Sequence, residues 1–374
     1  MSFWNICIAI LVFSLIVIIH EFGHFIVAKW NKVKVIEFSL GMGPRLISWG
    51  KTVEGRNVLF LKSTKFFEEH PEYDEGTLYS IKLLPFGGSC MMLGEEEEVE
   101  DDSAFGKKSV YARMAIIFAG PFFNFILAFL LAFIIMVSVG YDAPVVSNVE
   151  QGMPLAEAGI QEGDVFTEIN GRNIVINREI DSYFQFHKMS DEAIDITVER
   201  DGVEKSVTVT PKLVKGQDGV EKYRLGFAYG NGRTKLGGFS AVKYAAYEVK
   251  FWIFTTVESL GQMIQGKVST KDIAGPVGIV KIVGNTVNTA KPKGISVVML
   301  SILNISILLT ANLGVMNLLP IPALDGGRLL FLIVEWIRRK PLNRKIENYV
   351  NVTGFMLLMV LMVLILANDV IKLF

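Results

Sequence analysis

Residues His20-Glu21-Phe22-Gly23-His24 form an H-E-x-x-H pattern inside a long apolar stretch of the chain. On a helix, His20 and His24 are four residues apart and share one face, where both imidazoles can bind one zinc ion. Glu21 directly follows the first histidine and can act as a general base towards a water molecule at the metal. The pattern therefore predicts a catalytic zinc site, with a chance match on a core helix as the alternative.

The residues around the motif indicate a membrane setting. Phe3 to Ile19 is almost unbroken apolar sequence, and Phe25 to Ala28 continues it, which is long enough to cross a bilayer. Ionisable groups within a membrane span are costly and usually functional, so this setting favours the metal site over a chance match. Because the run has no basic start, we expect a retained transmembrane helix and not a cleaved signal peptide.

The composition of the whole chain agrees with a membrane protein that carries a soluble part. The chain has 374 residues, of which 51% are hydrophobic, and its mean hydropathy is +0.40. The net charge of −1 gives no indication of nucleic-acid binding. Only two cysteines are present, Cys7 and Cys90, which excludes a Cys-rich zinc site.

Three further apolar runs complete a prediction of four transmembrane helices. The predicted spans cover residues 1–28, 109–139, 295–337 and 347–370, and the third is broken by Pro320 and Pro322. A polar region at 29–108 contains strand and turn signals, and a short loop covers 338–346. Basic residues cluster in both connections. The positive-inside rule therefore places these connections in the cytoplasm and both termini outside.

Residues 141–213 are predicted to form a separate α+β domain on the outer side of the membrane. Asn170-Gly171 and Asp201-Gly202 are tight-turn signals between short alternating segments. The region that follows, 214–294, is mixed and contains an amphipathic stretch from Val242 to Ile264. That stretch is rich in aromatic residues, so it either lies at the membrane interface or packs on the domain.

A catalytic zinc ion requires a third protein ligand. Neither remaining histidine suits the role, because His70 lies in a charged loop and His187 lies across the membrane in the predicted topology. Asp325 is the only acidic residue in the broken part of the third span. A carboxylate at that depth needs a partner, which a dication bound to two histidines would supply. The alternative is that Asp325 caps a helix that starts at Gly326.

Two further features allow more than one interpretation. Asn124 follows Ala119-Gly120-Pro121 in the second span, and such residues indicate either close helix packing or an amide that faces the site. The acidic run from Glu95 to Asp102 is expected to be a solvated loop. A calcium site is the alternative there, although the run lacks the spacing of a known calcium loop.

Six stretches that follow one another along the chain resemble the site-2 protease (M50) family of intramembrane zinc metalloproteases. Within that family they are most similar to the RseP-like regulators of extracytoplasmic stress sigma factors. The stretches are His20 to His24, Gly41-Met42-Gly43-Pro44, Pro85-Phe86-Gly87-Gly88 through Met92-Leu93-Gly94-Glu95, Ala119-Gly120-Pro121-Phe122-Phe123-Asn124, Gly275-Pro276-Val277-Gly278-Ile279, and Asn317 to Gly326. H-E-x-x-H together with N-x-x-P-x-P-x-L-D-G is highly specific.

The resemblance implies a polytopic α-helical membrane protein with four transmembrane helices. It also implies a membrane-associated β-hairpin from about Val58 to Leu93, which engages the substrate as a strand. The outer region 141–213 separately resembles one PDZ domain of the protease-associated type, through Gly152 to Pro154, Ala158-Gly159-Ile160, Gly163-Asp164 and Ile169-Asn170-Gly171. Two departures concern the polar region: Ser63 to Gly76 looks like an insertion, and Ser89-Cys90-Met91 replaces the usual Tyr-Val-Lys. We expect these departures to affect substrate choice and gating, and not the chemistry.

The same resemblance implies roles for single residues. His20, His24 and Asp325 correspond to the ligands of one Zn²⁺ ion, and Glu21 corresponds to the catalytic base. Asn317 matches a family position that holds the substrate. The expected substrate-binding set is Asn317, Pro320, Pro322 and Asn124.

The expected activity is cleavage of transmembrane segments of other proteins in a bacterial plasma membrane, with substrates such as anti-sigma factors or remnant signal peptides. The catalytic site would face the cytoplasmic side. Expected partners are transmembrane substrates, the lipid bilayer and a peptide or C-terminus at the PDZ domain, but no nucleic acid. One alternative is a membrane-anchored PDZ scaffold with a vestigial metal site, in which Glu21 would have no use. The other is a zinc transporter, for which polar ligands spaced across several spans are missing.

Overall fold

The computed structural model of the chain describes residues 3–52, 55–70, 76–95, 97–215, 219–230, 232–267 and 274–372. Residues 71–75 of the expected insertion and Glu96 of the acidic run lie outside the described residues. The chain divides into two compact units. Unit 1 comprises Met1–Ala128 and Gly266–Phe374, and unit 2 comprises Phe129–Gln265.

The helices and strands follow one another along both units. The helices are α1 (Phe3–Trp30), α2 (Thr64–Glu69), α3 (Val110–Val139), α4 (Pro154–Glu157), α5 (Asn177–Phe186), α6 (Gly238–Ile264), α7 (Pro276–Ala290), α8 (Ile295–Asn317), α9 (Asp325–Arg338) and α10 (Arg344–Ile371). The strands are β1 (Val35–Thr52), β2 (Gly55–Phe60), β3 (Leu78–Met92), β4 (Tyr141–Asp142), β5 (Val146–Val149), β6 (Val165–Ile169), β7 (Arg172–Asn173), β8 (Ile194–Arg200), β9 (Val203–Val209), β10 (Lys212–Lys215), β11 (Glu221–Arg224), β12 (Phe227–Tyr229) and β13 (Arg233–Thr234).

Four helices of the described chain are long and apolar enough to cross a membrane: α1, α3, α8 and α10. The shortest, α8, has 23 residues, and about 20 are needed to span the hydrocarbon core. Each of the four expected spans contains one of these helices, and the third, predicted at 295–337 with a break, has that break. It consists of two helices, α8 and α9, separated by residues 318–324, where Pro320 and Pro322 prevent a continuous helix.

The polar region between the first two spans forms a bent sheet with the strand order β2-β1-β3. Residues 37–40 of β1 pair both with the start of β3, at 78–81, and with its end, at 88–91. This double pairing requires sharp bends, which occur at Gly41 (φ +82°), Gly43 (φ +85°) and Gly87 (φ +84°). The expected hairpin is thus a sheet in which both long strands fold back.

A buried carboxylate supports the bend in β1. Glu37 is 2% exposed, and Arg45 donates to it through Nε at 2.8 Å and Nη2 at 2.9 Å. Lys82 Nζ lies 3.5 Å from the same carboxylate. Burial favours a higher pKa for Glu37, but the hydrogen bonds from Arg45 and Ser80 outweigh it and hold the pKa below its usual value. The charged cluster therefore links both sides of the bend.

Unit 2 contains a four-stranded sheet with the order β7-β6-β8-β9 and several two-stranded pairs. Its core includes Val146, Leu155, Phe166 and Ile196, all of which are fully buried. The two turn signals are tight turns with positive φ, at Asn170-Gly171 and Asp201-Gly202. Strand β12 pairs with β5, so the fold extends past residue 213, the predicted end of the domain.

Helix α6 packs on α5 within unit 2. Arg178 of α5 forms an ion pair with the buried carboxylate of Glu248, and Gln262 Nε2 donates to the carbonyl of Phe186 at 3.1 Å. Of the two alternatives for Val242 to Ile264, packing on the domain is the one that the structure shows. The expected region 214–294 is also divided, because α7 belongs to unit 1.

Candidate metal centre

Helix α1 carries the two histidines on one face, as the four-residue spacing requires. Each is 7% exposed, and their Nε2 atoms lie 3.2 Å apart. Two imidazole nitrogens at this distance, within an apolar helix, present two potential ligand atoms to the same point.

Asp325 completes the cluster from α9. Its Oδ2 lies 3.1 Å from Nε2 of His20 and 3.4 Å from Nε2 of His24. Helix α9 begins at Asp325 itself, and the cap residue is Leu324, which makes no side-chain cap hydrogen bond. The capping alternative is therefore not what the structure shows, because the carboxylate points at the histidines.

The hydrogen bonds of the cluster leave its inner nitrogens available. The Nδ1 atom of His24 lies 2.8 Å from the carbonyl oxygen of Ile116. A carbonyl can only accept, so Nδ1 carries the proton and Nε2 keeps its lone pair. Oδ2 of Asp325 is buried and has no hydrogen-bond partner among the described residues. Lone pairs from three residues thus converge, an arrangement that suits a cation.

Asn124 of α3 faces the cluster, which answers the question that its sequence context left open. It is fully buried, and its amide lies 3.1 Å from Nδ1 of His20. Its Oδ1 is buried and has no hydrogen-bond partner in the part of the chain that the structure describes. Because the two amide ends are interchangeable by rotation, the oxygen can accept the Nδ1 proton of His20 and leave that ring's Nε2 for a metal.

Two glycines provide the space for this arrangement. A Cβ atom at Gly120 would lie 2.3 Å from Nε2 of His24 and 2.9 Å from Cε1 of His20. A Cβ atom at Gly23 would lie 2.4 Å from the carbonyl oxygen of Ala119. The small residues that indicated close helix packing therefore do bring α1 and α3 together, and Gly120 also keeps the metal position clear.

The other residues singled out from the sequence lie at different distances from the cluster. Asn317, at the end of α8, has its Nδ2 3.5 Å from Nε2 of His20. Pro320 and Pro322 lie in the connection between α8 and α9. Pro322 contacts α10, since a Cβ atom at Gly354 would approach its Cβ to 2.4 Å. Asn317 therefore contacts a histidine of the cluster, whereas the two prolines lie in the connection that follows it.

Strand β3 passes beside Glu21. A Cβ atom at Gly88 would lie 3.2 Å from Cγ of Glu21 and 3.0 Å from the carbonyl oxygen of Ser39. Cys90, two residues further along β3, is a free thiol. Burial and nearby carboxylates raise its pKa, so it stays a neutral thiol and is not suited to nucleophilic catalysis. Glu21 thus lies against β3, next to His20 on α1.

Among the described residues, the two remaining histidines lie outside the converging group, and each has a carbonyl partner for its own Nδ1. Nδ1 of His70 lies 2.8 Å from the carbonyl of Phe66, and Nδ1 of His187 lies 3.0 Å from that of Tyr183. Among the described residues, His20, His24 and Asp325 are the group of metal-ligating side chains that converge. Sequence reasoning missed Ile116, since it contributes only a carbonyl and no side-chain pattern could indicate it.

Comparison with known proteins covers nearly the whole chain. The model of the family described as Peptidase family M50 matches residues 8–63 and 60–361. A Clostridium acetobutylicum protein named as a candidate zinc metalloprotease is 36% identical over 373 residues, which cover 99% of this chain and 98% of the relative. The regulator of sigma-W protease RasP from Bacillus subtilis is 28% identical over 433 residues, with 100% of both chains covered. In a solved structure, the PDZ domain of an SdrC-like protein from Listeria monocytogenes matches 25% of this chain and 93% of its own, with 22% identity and a TM-score of 0.21. The family match includes all three residues of the cluster.

Proposed function

The chain belongs to peptidase family M50, and from that premise we propose that His20, His24 and Asp325 hold the single zinc ion with which it cleaves transmembrane segments. The observation that carries this proposal is their convergence: one ligand atom from each residue lies within 4.8 Å of the others. Two imidazoles and one carboxylate form a ligand set that catalytic zinc sites use, with a position left open.

The chemistry of the donor set and its surroundings fit zinc. Each imidazole has an outer partner for Nδ1, the Ile116 carbonyl for His24 and the Asn124 amide for His20. Such partners fix the tautomer and the orientation of a ligating ring. When bound, zinc would act as a Lewis acid that polarises a carbonyl and lowers the pKa of water to about 7.

Glu21 would carry the proton during hydrolysis. It follows His20 directly on α1, so it lies at the edge of the helix face that carries both histidines, on the side where β3 passes. In this role the carboxylate accepts a proton from the attacking water and then donates it to the nitrogen of the leaving amine. Burial of the cluster among α1, α3 and α9 restricts competing water.

The substrate would reach this site as an extended strand. A transmembrane helix has its carbonyls hydrogen-bonded internally, so it must unwind before attack, and the freed groups need new partners. The end of β3 lies beside Glu21 and can offer main-chain groups to such a segment by strand addition. In this arrangement Asn317 contacts the substrate next to the metal, and the 318–324 segment that carries both prolines forms the adjacent wall.

The proposed orientation of the chain in the membrane follows from the distribution of its basic residues. Basic residues in 29–108 and 338–346 put these connections in the cytoplasm and unit 2 outside. Unit 2 is proposed to act as a PDZ domain that binds a peptide or C-terminus. The Bacillus subtilis relative is named a regulator of sigma-W protease. We extend that to this chain as proteolysis of a membrane-bound regulator.

Metal removal and ligand substitution test the proposal together. Purified protein in proteoliposomes should cut a model transmembrane substrate, lose the activity in a chelator and regain it at one zinc per chain. Asp325→Ala should lose both activity and tight zinc binding, because solvent would replace an anionic ligand. The assignment of Asp325 fails if this variant retains stoichiometric, tightly held zinc. Activity that survives complete removal of zinc would refute the metal mechanism.

A further inference from the structure

An ion pair joins the turn after β3 to the helix that carries Asp325. Arg328 of α9 donates through Nη1 to Oε1 of Glu95. The Glu95 side chain is 15% exposed and that of Arg328 is 33% exposed, so the pair is partly shielded from solvent. The two residues are 233 positions apart in the chain. The pair therefore connects two segments that are far apart in the chain.

Both ends of this contact lead to the metal centre. Arg328 lies three residues after Asp325 on α9 and thus about one helical turn away. Glu95 follows the end of β3, the strand that passes beside Glu21 at Gly88. Through this pair, the element that carries the third ligand is fixed to the element beside the proposed base.

The turn that carries Glu95 is itself held in place. Leu93 donates its backbone N–H to the carbonyl of Lys34 at 2.9 Å, and its carbonyl accepts from the N–H of Phe105 at 2.7 Å. Gly94 has φ +69°, and a Cβ atom there would lie 2.7 Å from Cβ of Ala104. A fixed turn gives Arg328 a defined anchor.

On the other side of the contact, the first turn of α9 is held by packing and not by a side-chain cap. It follows a connection with Ala323 at φ +72°, and α9 has no side-chain hydrogen bond at its N-terminal cap. Gly326 and Gly327 pack directly on the backbone of residues 318–322. A rotation of this first turn would move the Asp325 carboxylate away from both histidines.

We propose that Glu95 and Arg328 are positioning residues for the metal centre, which act by holding Asp325 in register with His20 and His24. The inference rests on the proposed function, because it assumes that Asp325 is a zinc ligand. It gives a role to one member of an acidic run that the sequence alone indicated to be a solvated loop. Glu97, Glu98, Glu100, Asp101 and Asp102 of that run are exposed, as expected.

The chain offers a matched control at the opposite end of α9. Arg113 of α3 forms a second ion pair with Glu335, with side-chain exposures of 15% and 17%. This pair anchors the same helix, but Glu335 lies ten residues from Asp325. Loss of either pair should loosen α9, whereas only loss of the Glu95–Arg328 pair should disturb the ligand geometry. Glu97→Gln controls for the loss of an exposed charge in the acidic run.

The experiment compares Glu95→Gln, Arg328→Gln, Glu335→Gln and Glu97→Gln, together with the reversed pair Glu95→Arg with Arg328→Glu. Zinc affinity is measured by chelator competition, and the ligand geometry is followed by the visible spectrum of the cobalt-substituted protein. Values of kcat and KM are measured on a model transmembrane substrate in proteoliposomes. Thermal unfolding reports on general loosening.

We expect Glu95→Gln and Arg328→Gln to lower zinc affinity by about 10- to 100-fold, the effect typical of lost outer contacts at a metal site. The cobalt spectrum should shift, and kcat should fall more than KM rises. The reversed pair should regain most of the affinity. Glu335→Gln should lower thermal stability but keep the wild-type spectrum, and Glu97→Gln should change neither.

Three results would overturn the inference. The first is wild-type zinc affinity and an unchanged cobalt spectrum in Glu95→Gln and Arg328→Gln. The second is an equal loss of affinity in Glu335→Gln, which would make the effect one of general helix packing. The third is a reversed pair with no higher zinc affinity than the single variants. If the wild-type protein itself binds no metal, then the proposed function is wrong, and the inference that rests on it is wrong as well.

Discussion

Glu21 is the residue whose substitution should separate catalysis from metal binding. Glu21→Gln keeps the shape of the side chain but removes its ability to accept a proton at neutral pH. Turnover should fall by about 10²- to 10⁴-fold, the range that general acid–base catalysis contributes. The zinc content should stay at one ion per chain. Turnover and metal content are measured on the same preparation, and wild-type turnover would remove Glu21 as the base.

Asn124 should act on zinc affinity through His20. Asn124→Leu leaves Nδ1 of His20 without its buried partner and should weaken zinc binding by about 10- to 100-fold. Asn124→Asp, which keeps an oxygen acceptor, should stay near the wild-type affinity. Chelator competition measures both. If Asn124→Leu instead keeps its zinc affinity and only raises KM, then the substrate-binding role expected from the sequence is the correct one.

The residues of the proposed site differ in how well the sequence alone predicts their roles. His20, Glu21 and His24 form a local pattern, and Asp325 stands out because a lone carboxylate within an apolar span needs a partner. The direction of Asn124 was not predictable, because it depends on the rotation of α3 about its own axis against α1. The Ile116 carbonyl has no sequence signal at all, and the Glu95–Arg328 pair joins distant segments.

At the scale of elements, the distance between α1 and α3 determines how much space is left for the proposed metal ion. Gly120→Ala would place a methyl group 2.3 Å from Nε2 of His24, so the helices must separate or the ring must turn. Zinc binding and turnover should both be lost, while the protein still inserts into the membrane. Gly261→Ala is the control, since among the described residues no atom beyond the adjoining backbone of its own helix lies within 4 Å of a Cβ there. Undiminished zinc affinity in Gly120→Ala would contradict the close approach.

The elements themselves were predictable where their signals are local. Hydrophobic length indicated four spans, and the Asn-Gly and Asp-Gly turns indicated hairpins in unit 2. The division of the third span into α8 and α9 was also indicated, because Pro320 and Pro322 interrupt the apolar run before it resumes. The double pairing of β1 with β3 depends on contacts across the bends at Gly41, Gly43 and Gly87. A single sequence does not reveal such contacts.

At the scale of the whole molecule, the division into two units assigns the proposed site to one of them. All three proposed ligands and Glu21 belong to unit 1. The sequence placed the end of the soluble domain at residue 213, but β12 returns to pair with β5 some 80 residues later in the chain. Long-range strand pairing of this kind sets domain boundaries that composition cannot show. The region 214–294 is divided between the units for the same reason.

This division makes unit 2 a candidate gate that selects substrates without taking part in catalysis. Replacing residues 143–265 with a flexible Gly/Ser linker removes no proposed catalytic or ligating residue. The deletion protein should therefore still cut a minimal transmembrane substrate. It should also cut a substrate whose bulky outer domain protects it from the intact chain, because gating works by controlling which substrates reach the site.

Both substrates are compared against both proteins at matched expression, with zinc content measured in each. The deletion protein with Glu21→Gln serves as the control for cleavage by other proteases. If the deletion protein is folded and zinc-loaded but cuts neither substrate, then unit 2 is required for catalysis itself. If it cuts the minimal substrate and still spares the bulky one, then selection against bulky substrates resides in unit 1. In that case the sheet of β1 to β3, whose last strand passes beside Glu21, is the element to test next.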